Sequence, residues 1–102
     1  MAYDVAISEP AESDRRIIVE SLLEHGWTSA ASSFLDHIDV IVNNLSRHPL
    51  MYPAAADARL ESHGYRKAAL PNYVLLYRVS EAGARVVIMR IFSQRQDYAR
   101  LV

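Results

Sequence analysis

The fold is decided by residues 65–102, which read YRKAALPNYVLLYRVSEAGARVVIMRIFSQRQDYARLV. Two runs in this stretch, residues 72–80 and 85–92, are rich in Tyr, Val, Leu, Ile and Met and are too short for isolated helices. Each run therefore predicts a β-strand, and residues 81–84 between them are typical of a hairpin turn. A third run, residues 65–70, ends at a Pro-Asn pair that also predicts a turn. The C-terminal part thus predicts three antiparallel strands with interspersed basic residues.

The N-terminal part predicts a strand followed by a helix. Residues 3–8 alternate Tyr3, Val5 and Ile7 with small or polar side chains, which indicates a half-buried strand that pairs with the later sheet. The Ser-Glu-Pro sequence that follows favours a helix start, because proline is tolerated in the first turn and acidic side chains suit the positive end of the helix dipole. We expect this first helix over about residues 11–25.

A second amphipathic helix is predicted further along the chain. Apolar side chains recur at spacings of three and four between residues 34 and 45. Thr28 or Ser29 is expected to cap the start of this helix. Its end is expected near Arg47, because Pro49 disfavours helical geometry at the residue before it. Since the connection to the first helix is short, the two helices should form an antiparallel hairpin.

Residues 48–63 contain two prolines and no clear period, so they predict a loop with a helical turn at residues 54–60. The whole pattern predicts a single α+β domain over residues 1–102. Its helical hairpin packs on one face of a twisted, mainly antiparallel four-stranded sheet, because a sheet with apolar faces must cover at least one of them. The expected element order is one strand, two helices and three strands.

Composition excludes several classes of protein. The chain has 102 residues, of which 51% are hydrophobic and none is cysteine, which excludes a disordered segment, a disulfide scaffold and a Cys-ligated zinc site. We expect a cytoplasmic protein without a membrane partner, because the sequence shows neither a signal-peptide pattern nor an apolar run of membrane-spanning length. The four histidines are scattered without metal-ligand spacing, so no metal or other cofactor is expected.

Charge is distributed unevenly along the chain. Residues 1–58 hold three basic and nine acidic residues, a net charge of −6, whereas residues 59–102 hold eight basic and three acidic residues, a net charge of +5. A cationic half attracts phosphates or an acidic protein segment. Alternatively, the basic half faces acidic groups of the same fold.

Several segments keep a characteristic order and spacing. They are GYRK at residues 64–67, NYVLLY at 72–77, VVIMRI at 86–91 and RQDY at 95–98. The N-terminal strand is followed by Ala11 and Asp14, which match a helix start. Together these segments resemble the RelE/ParE superfamily, the toxins of bacterial type II toxin–antitoxin systems. The resemblance covers nearly the whole chain and implies the RelE/ParE-like α+β fold.

The resemblance implies the toxin of a plasmid-stabilisation-type toxin–antitoxin pair, which inhibits growth unless its cognate acidic antitoxin binds it in a heterocomplex. ParE-like members poison DNA gyrase by binding. RelE-like members are mRNA interferases, which cut ribosome-bound mRNA without a metal. A degenerate member that only binds antitoxin is the third alternative.

For an endoribonuclease, the resemblance implies catalytic roles for Arg66, Arg95 and Tyr98. Guanidinium groups stabilise charge at the scissile phosphate, and a nearby tyrosine transfers protons. A strand position that is often arginine in nuclease members is Val74 here, and a tail position that is often histidine is Ser93. These departures remove charge and acid–base capacity, so they favour the gyrase mechanism.

Contacts with a nucleic acid or protein target are expected from Arg66, Lys67, Arg78, Arg90 and Arg95. Because Arg66 and Lys67 are adjacent in a strand, at most one of them faces a given ligand, and both can instead be solvated charges of an edge strand. Arg90 lies among apolar neighbours and therefore needs either a partner, such as Asp14, or an open cleft. Tyr98 can instead pack its ring on the sheet.

Overall fold

The computed structural model describes residues 2–96. Its elements in chain order are β1 (Asp4–Ile7), α1 (Glu9–Glu24), α2 (Thr28–Arg47), α3 (Ala58–Ser62), β2 (Arg66–Leu70), β3 (Tyr73–Ser80) and β4 (Arg85–Ser93). The predicted order of one strand, two helices and three strands is confirmed. A short helix, α3, is added between α2 and β2.

The four strands form one sheet in the order β1-β4-β3-β2. β1 runs parallel to β4, and the other two pairings are antiparallel. The mainly antiparallel sheet and the pairing of the N-terminal strand with the later strands are therefore confirmed. Between β3 and β4 the register shifts at Leu76 and Tyr77, which leaves Met89 as an extra residue in β4. A bulge of this kind bends the strand and increases its local twist.

The start of α1 is fixed by a side-chain cap. The Ser8 hydroxyl accepts a hydrogen bond of 3.2 Å from the backbone N–H of Ala11 and donates one of 2.9 Å to the carbonyl of Met89. The helix therefore begins at Glu9 rather than at residue 11, and its first turn is joined to the bulge of β4. The chain then turns at Gly26, whose φ of 74° suits glycine.

The prediction that Thr28 or Ser29 caps α2 is wrong. Trp27 occupies the N-cap position, and its side chain makes no capping hydrogen bond. The turn at Gly26 brings the chain into helical geometry one residue earlier than expected, because the carbonyl of Trp27 already accepts from the N–H of Ala31 at 3.0 Å. The predicted end of the helix at Arg47 is confirmed.

The main core lies between the helical hairpin and one face of the sheet. The apolar stripe of α2, which includes Phe34, Ile38 and Leu45, is buried against Leu75 and Tyr77 of β3. The other buried residues of this cluster are Ala11, Leu22, Ala31, Ile41, Ala68, Leu70, Val86, Ile88 and Ile91. The expected packing of the hairpin on the sheet is thus confirmed.

A second, smaller core covers part of the opposite face. Leu60 of α3 and Ala55 pack with Val74, Leu76 and Phe92. The helical turn predicted at residues 54–60 is displaced to Ala58–Ser62, because the Asp57 carboxylate caps the helix by accepting from the N–H groups of residues 59 and 60 at 3.0 and 3.1 Å. Ala54 is instead extended and forms an isolated β-bridge with Arg66.

Tyr77 fastens the connection between α2 and β2 to the sheet. Its ring is fully buried, and its hydroxyl donates a hydrogen bond of 3.1 Å to the carbonyl of Pro49. Burial raises the pKa of the Tyr77 hydroxyl above its ordinary value. The site therefore stabilises the neutral hydroxyl, which can donate to the carbonyl.

Replacing Ile38 by Asp tests the placement of the α2 stripe. Ile38 is 1% exposed, so the substitution buries a carboxylate or expels it from the core and should cost several kcal/mol of the free energy of unfolding. Val40→Asp is the matched control on the same helix, because Val40 is 58% exposed. Urea denaturation measures both variants. Equal stability of Ile38→Asp and Val40→Asp would contradict the assignment of the buried face.

Candidate functional site

The basic residues of β2 point to opposite faces of the sheet. Arg66 lies opposite Tyr77, which faces the helices, whereas Lys67 lies opposite Leu76, which faces the second core. The expectation that only one of these adjacent side chains can face a given ligand is confirmed by this register.

Arg66 is engaged by the chain's own backbone. Its Nε donates to the carbonyl of Tyr52 at 2.9 Å, and its Nη2 donates to the carbonyl of Leu50 at 3.0 Å. These two bonds tie the connection between α2 and α3 to the edge strand. The guanidinium therefore holds the fold, and its role as a catalytic or target-binding group stays a prediction.

Three basic side chains lie on the face of the sheet opposite the helices. Lys67, Arg78 and Arg85 share this face by register and alternation, and we call the surface that they form the cationic face. Arg78 lies over the ring of Tyr65, with its Cζ 5.7 Å from the ring centroid. Arg78 and Arg85 are exposed, and Lys67 is half-buried. The arrangement suits an acidic or phosphate-bearing partner.

Arg90 forms the predicted pair with Asp14 across the bulge. Its Nε and Nη2 donate to the two carboxylate oxygens at 2.7 and 3.0 Å, and one of these oxygens also accepts from the N–H of Ile91 at 3.0 Å. The hydrogen bonds that Arg90 donates to Asp14 raise the pKa of the guanidinium. The guanidinium also lies 4.5 Å from the ring centroid of Phe92. A bidentate pair of this kind fixes α1 to β4.

Arg95 lies in the turn that follows β4, far from Arg66 along the sheet. Gln94 donates to the carbonyl of Leu70 at 3.0 Å, so this turn is next to the end of β2. Arg66 begins β2, and the five-residue strand places it about 13 Å from Leu70 at the usual rise per residue, at the opposite end of the strand from the turn. Tyr98, the third predicted catalytic residue, lies outside the described residues.

The strand position at which nuclease members of the superfamily often carry an arginine is closed to solvent in this protein. Val74 is 2% exposed and packs in the second core. A depression of about 280 Å³ beside it is lined by Lys67, Ala69, Val74 and Gln94. An amine and an amide are its polar groups, so it lacks a side chain whose ordinary pKa lies near neutrality. Ser93 follows at the end of β4.

A larger cleft was not predicted from the sequence. It has a volume of about 520 Å³ and lies between the first turns of α2, the β2–β3 turn and the end of β4. We call it the α2 cleft and define it by Leu22, Trp27, Phe34, His37, Tyr73 and Arg95. The signal that could have found it is the single tryptophan of the chain, placed in a helix–helix turn that does not require an aromatic residue. The other residues come from distant segments.

Metal binding and membrane insertion find no support in residues 2–96. No group of three or more His, Asp or Glu side chains in this part of the chain is arranged to hold a metal ion. Within the same residues, no helix has the length and apolar character needed to cross a membrane.

The family of the chain follows from its sequence over nearly its whole length. The family model described as "ParE toxin of type II toxin-antitoxin system, parDE" matches residues 5–98. The chain belongs to this family. Comparison with curated proteins gives no match.

Solved structures share the fold of this ParE-family toxin. A chain of the chromosomal ParDE TA system from P. aeruginosa has a TM-score of 0.71 at 17% identity, covering 90% of this chain and 96% of that chain. The toxin–antitoxin complex RelBE2 from Mycobacterium tuberculosis gives 0.62 at 23% identity, covering 92% and 100%. The isolated RelE toxin of E. coli gives 0.53 at 16% identity, covering 98% and 94%. The predicted RelE/ParE-like fold is confirmed.

Replacing Asp14 by Ala tests the pair that joins α1 to β4 in this ParE-family toxin. The change removes the carboxylate that accepts from Arg90 and from the N–H of Ile91, and it should cost about 1–3 kcal/mol of the free energy of unfolding. Glu12→Ala is the control on the same helix, because Glu12 contributes an exposed pair with Arg15 and should cost less than about 1 kcal/mol. Similar losses in urea denaturation would show that the Asp14 pair does not fix the helix.

Proposed function

We propose that this type II toxin stops growth by binding and poisoning DNA gyrase in the cytoplasm, and that a cognate acidic antitoxin neutralises it. The observation that carries the proposal is the engagement of two arginines within the fold. Arg66 bonds to the carbonyls of Leu50 and Tyr52, and Arg90 pairs with Asp14. A protein that acts by contact needs no general base, and this use of its arginines is compatible with that mode of action.

The closed position at Val74 supports the same proposal. Cleavage of RNA requires a group that deprotonates the attacking 2′-hydroxyl and another that protonates the leaving oxygen. The depression beside Val74 offers Lys67 and Gln94, which are suited to contact with a phosphate rather than to proton transfer near neutral pH. Poisoning of gyrase by binding requires no proton transfer from these residues.

Charge supports the antitoxin as the neutralising partner. Lys67, Arg78 and Arg85 lie on one face of the sheet, and residues 59–102 carry a net charge of +5. Two structures with this fold come from a ParDE system and from a RelBE2 toxin–antitoxin complex. An acidic antitoxin segment on the cationic face would be steered to it electrostatically.

Reversing charges on the cationic face tests this partner. The double variant Lys67→Glu and Arg78→Glu should slow association with the proposed cognate antitoxin by about tenfold or more at low salt, because steering depends on the charge of the contact surface. Arg66 is left unchanged, since its side chain holds the connection after α2. Stopped-flow mixing at several salt concentrations measures the effect.

The matched control for this experiment reverses two charges on α1. Arg15 and Arg16 pair with Glu12 and Glu20 on that helix, away from the cationic face. The control variant Arg15→Glu and Arg16→Glu has the same change in net charge as the test variant. Equal slowing by the two variants would contradict a contact on the cationic face and would indicate an effect of net charge.

Ribosome-dependent cleavage of mRNA is the alternative function. It is favoured by Lys67, which lines the depression beside Val74 with Gln94, and by Arg95, which is exposed and follows Gln94 in the chain. In this alternative Arg66, Arg95 and Tyr98 act together on the scissile phosphate.

Replacing Tyr98 by Phe separates the two functions. A gyrase poison should keep its toxicity, because the ring and its contact area remain, and it should induce a DNA-damage response with intact transcripts. A nuclease that uses the hydroxyl should lose activity by a factor of about 10² to 10⁴. Arg95→Ala serves as the companion variant for charge stabilisation. Mapping transcript ends after induction measures the outcome, and ribosome-dependent cuts within codons would overturn the proposed function.

A further inference from the structure

The α2 cleft has an aromatic floor and an exposed aromatic residue at its mouth. Phe34 and Tyr73 form the floor, with their ring centroids 4.9 Å apart in an edge-to-face arrangement. Trp27 is 56% exposed and stacks on His25 at 4.7 Å. A tryptophan left half in water beside an apolar cleft is typical of residues that become buried on binding.

The polar rim of the cleft favours a negative group. Its lining includes Arg95 and His37, and within the described residues it includes no carboxylate. Nδ1 of His37 lies 2.7 Å from the carbonyl of Ser33 and must donate to it, so the neutral ring presents at Nε2 a lone pair that cannot donate to an anion. Arg95 is exposed. An anion at the rim would therefore meet the guanidinium of Arg95 as its donor.

The volume of the cleft is suited to a peptide side chain. A volume of about 520 Å³ lies within the range of sites that enclose a compact ligand or one or two large side chains. The apolar floor and the cationic rim are adjacent. The matching ligand is therefore a large apolar side chain with a carboxylate next to it in the sequence.

We propose that the α2 cleft anchors a large apolar side chain, such as Leu, Phe or Trp, from the acidic antitoxin, and that Arg95 receives an adjacent Asp or Glu. This inference rests on the proposed function for the existence of that partner, and it adds a second contact on the helix side of the sheet. The cationic face attracts the antitoxin by charge, whereas the cleft supplies apolar burial that slows dissociation.

The chain offers a direct probe of this cleft, because Trp27 is its only tryptophan. The full chain is produced with 5-fluorotryptophan and mixed with an unlabelled candidate acidic antitoxin identified from the genome that encodes this chain. The single ¹⁹F resonance should shift and lose its sensitivity to exchange of H₂O for D₂O when the complex forms. Light scattering on the same sample shows whether the complex has formed.

Affinity measurements provide the second arm of the test. Trp27→Ala should weaken the complex by about tenfold or more, because it removes the aromatic side chain at the mouth of the cleft. Met51→Ala is the control, since Met51 is similarly exposed at 52% and does not line the cleft; it should change the affinity by less than about twofold. Trp27 is exposed, so the variant is expected to fold.

The outcomes distinguish this inference from the function on which it rests. A complex that forms with a shifted Trp27 resonance and is weakened by Trp27→Ala supports the anchor site. A complex that leaves the resonance and the affinity of Trp27→Ala unchanged overturns the anchor site and leaves the antitoxin proposal intact. A resonance that shifts without any loss of affinity in Trp27→Ala overturns the anchoring role. Absence of any complex overturns both proposals.

Discussion

The structure depends on a strand that is buried on both of its faces. Residues 74–77 of β3 are all buried, with Leu75 and Tyr77 against the helices and Val74 and Leu76 on the opposite side. Apolar side chains on both faces require cover from both sides. The helical hairpin covers one face, and the segment around α3 covers the other. The remainder of the fold, including the positions of the basic residues, follows from the need to cover both faces of β3.

The segment that covers the second face is held in place partly by Arg66, a residue to which the resemblance gives a catalytic role in nuclease members. Arg66 donates to the carbonyls of Leu50 and Tyr52, and Tyr77 donates to the carbonyl of Pro49. Similarly, Arg90 joins Asp14 at the bulge, where β4 extends beyond its parallel partner. Besides Arg90, which is engaged by Asp14, the basic strand residues on the face opposite the helices are Lys67, Arg78 and Arg85. Their distribution favours recognition of an acidic partner over catalysis.

Much of the fold could be predicted because its signals are periodic. Alternation marked the first strand, short apolar runs marked the other three, and spacings of three and four marked α2. A charge inside the apolar run of β4 required a partner, and the family resemblance suggested Asp14. The bulge at Met89 was not predictable, because one extra residue leaves an apolar run unchanged in composition. The cap of α2 was misplaced because the geometry of Gly26 decided it. The α2 cleft is lined by three segments that are distant in sequence, and a local sequence pattern cannot predict such a site.

Growth of cells that express this chain is the most direct measurement of its role as a toxin. Induction without antitoxin should arrest growth, and co-expression of the cognate antitoxin should restore it. The Ile38→Asp variant serves as the control, because a protein that does not fold should leave growth unaffected at equal synthesis rates. Unimpaired growth on induction of the stable, folded chain would contradict the account and would indicate a family member that binds antitoxin without toxicity.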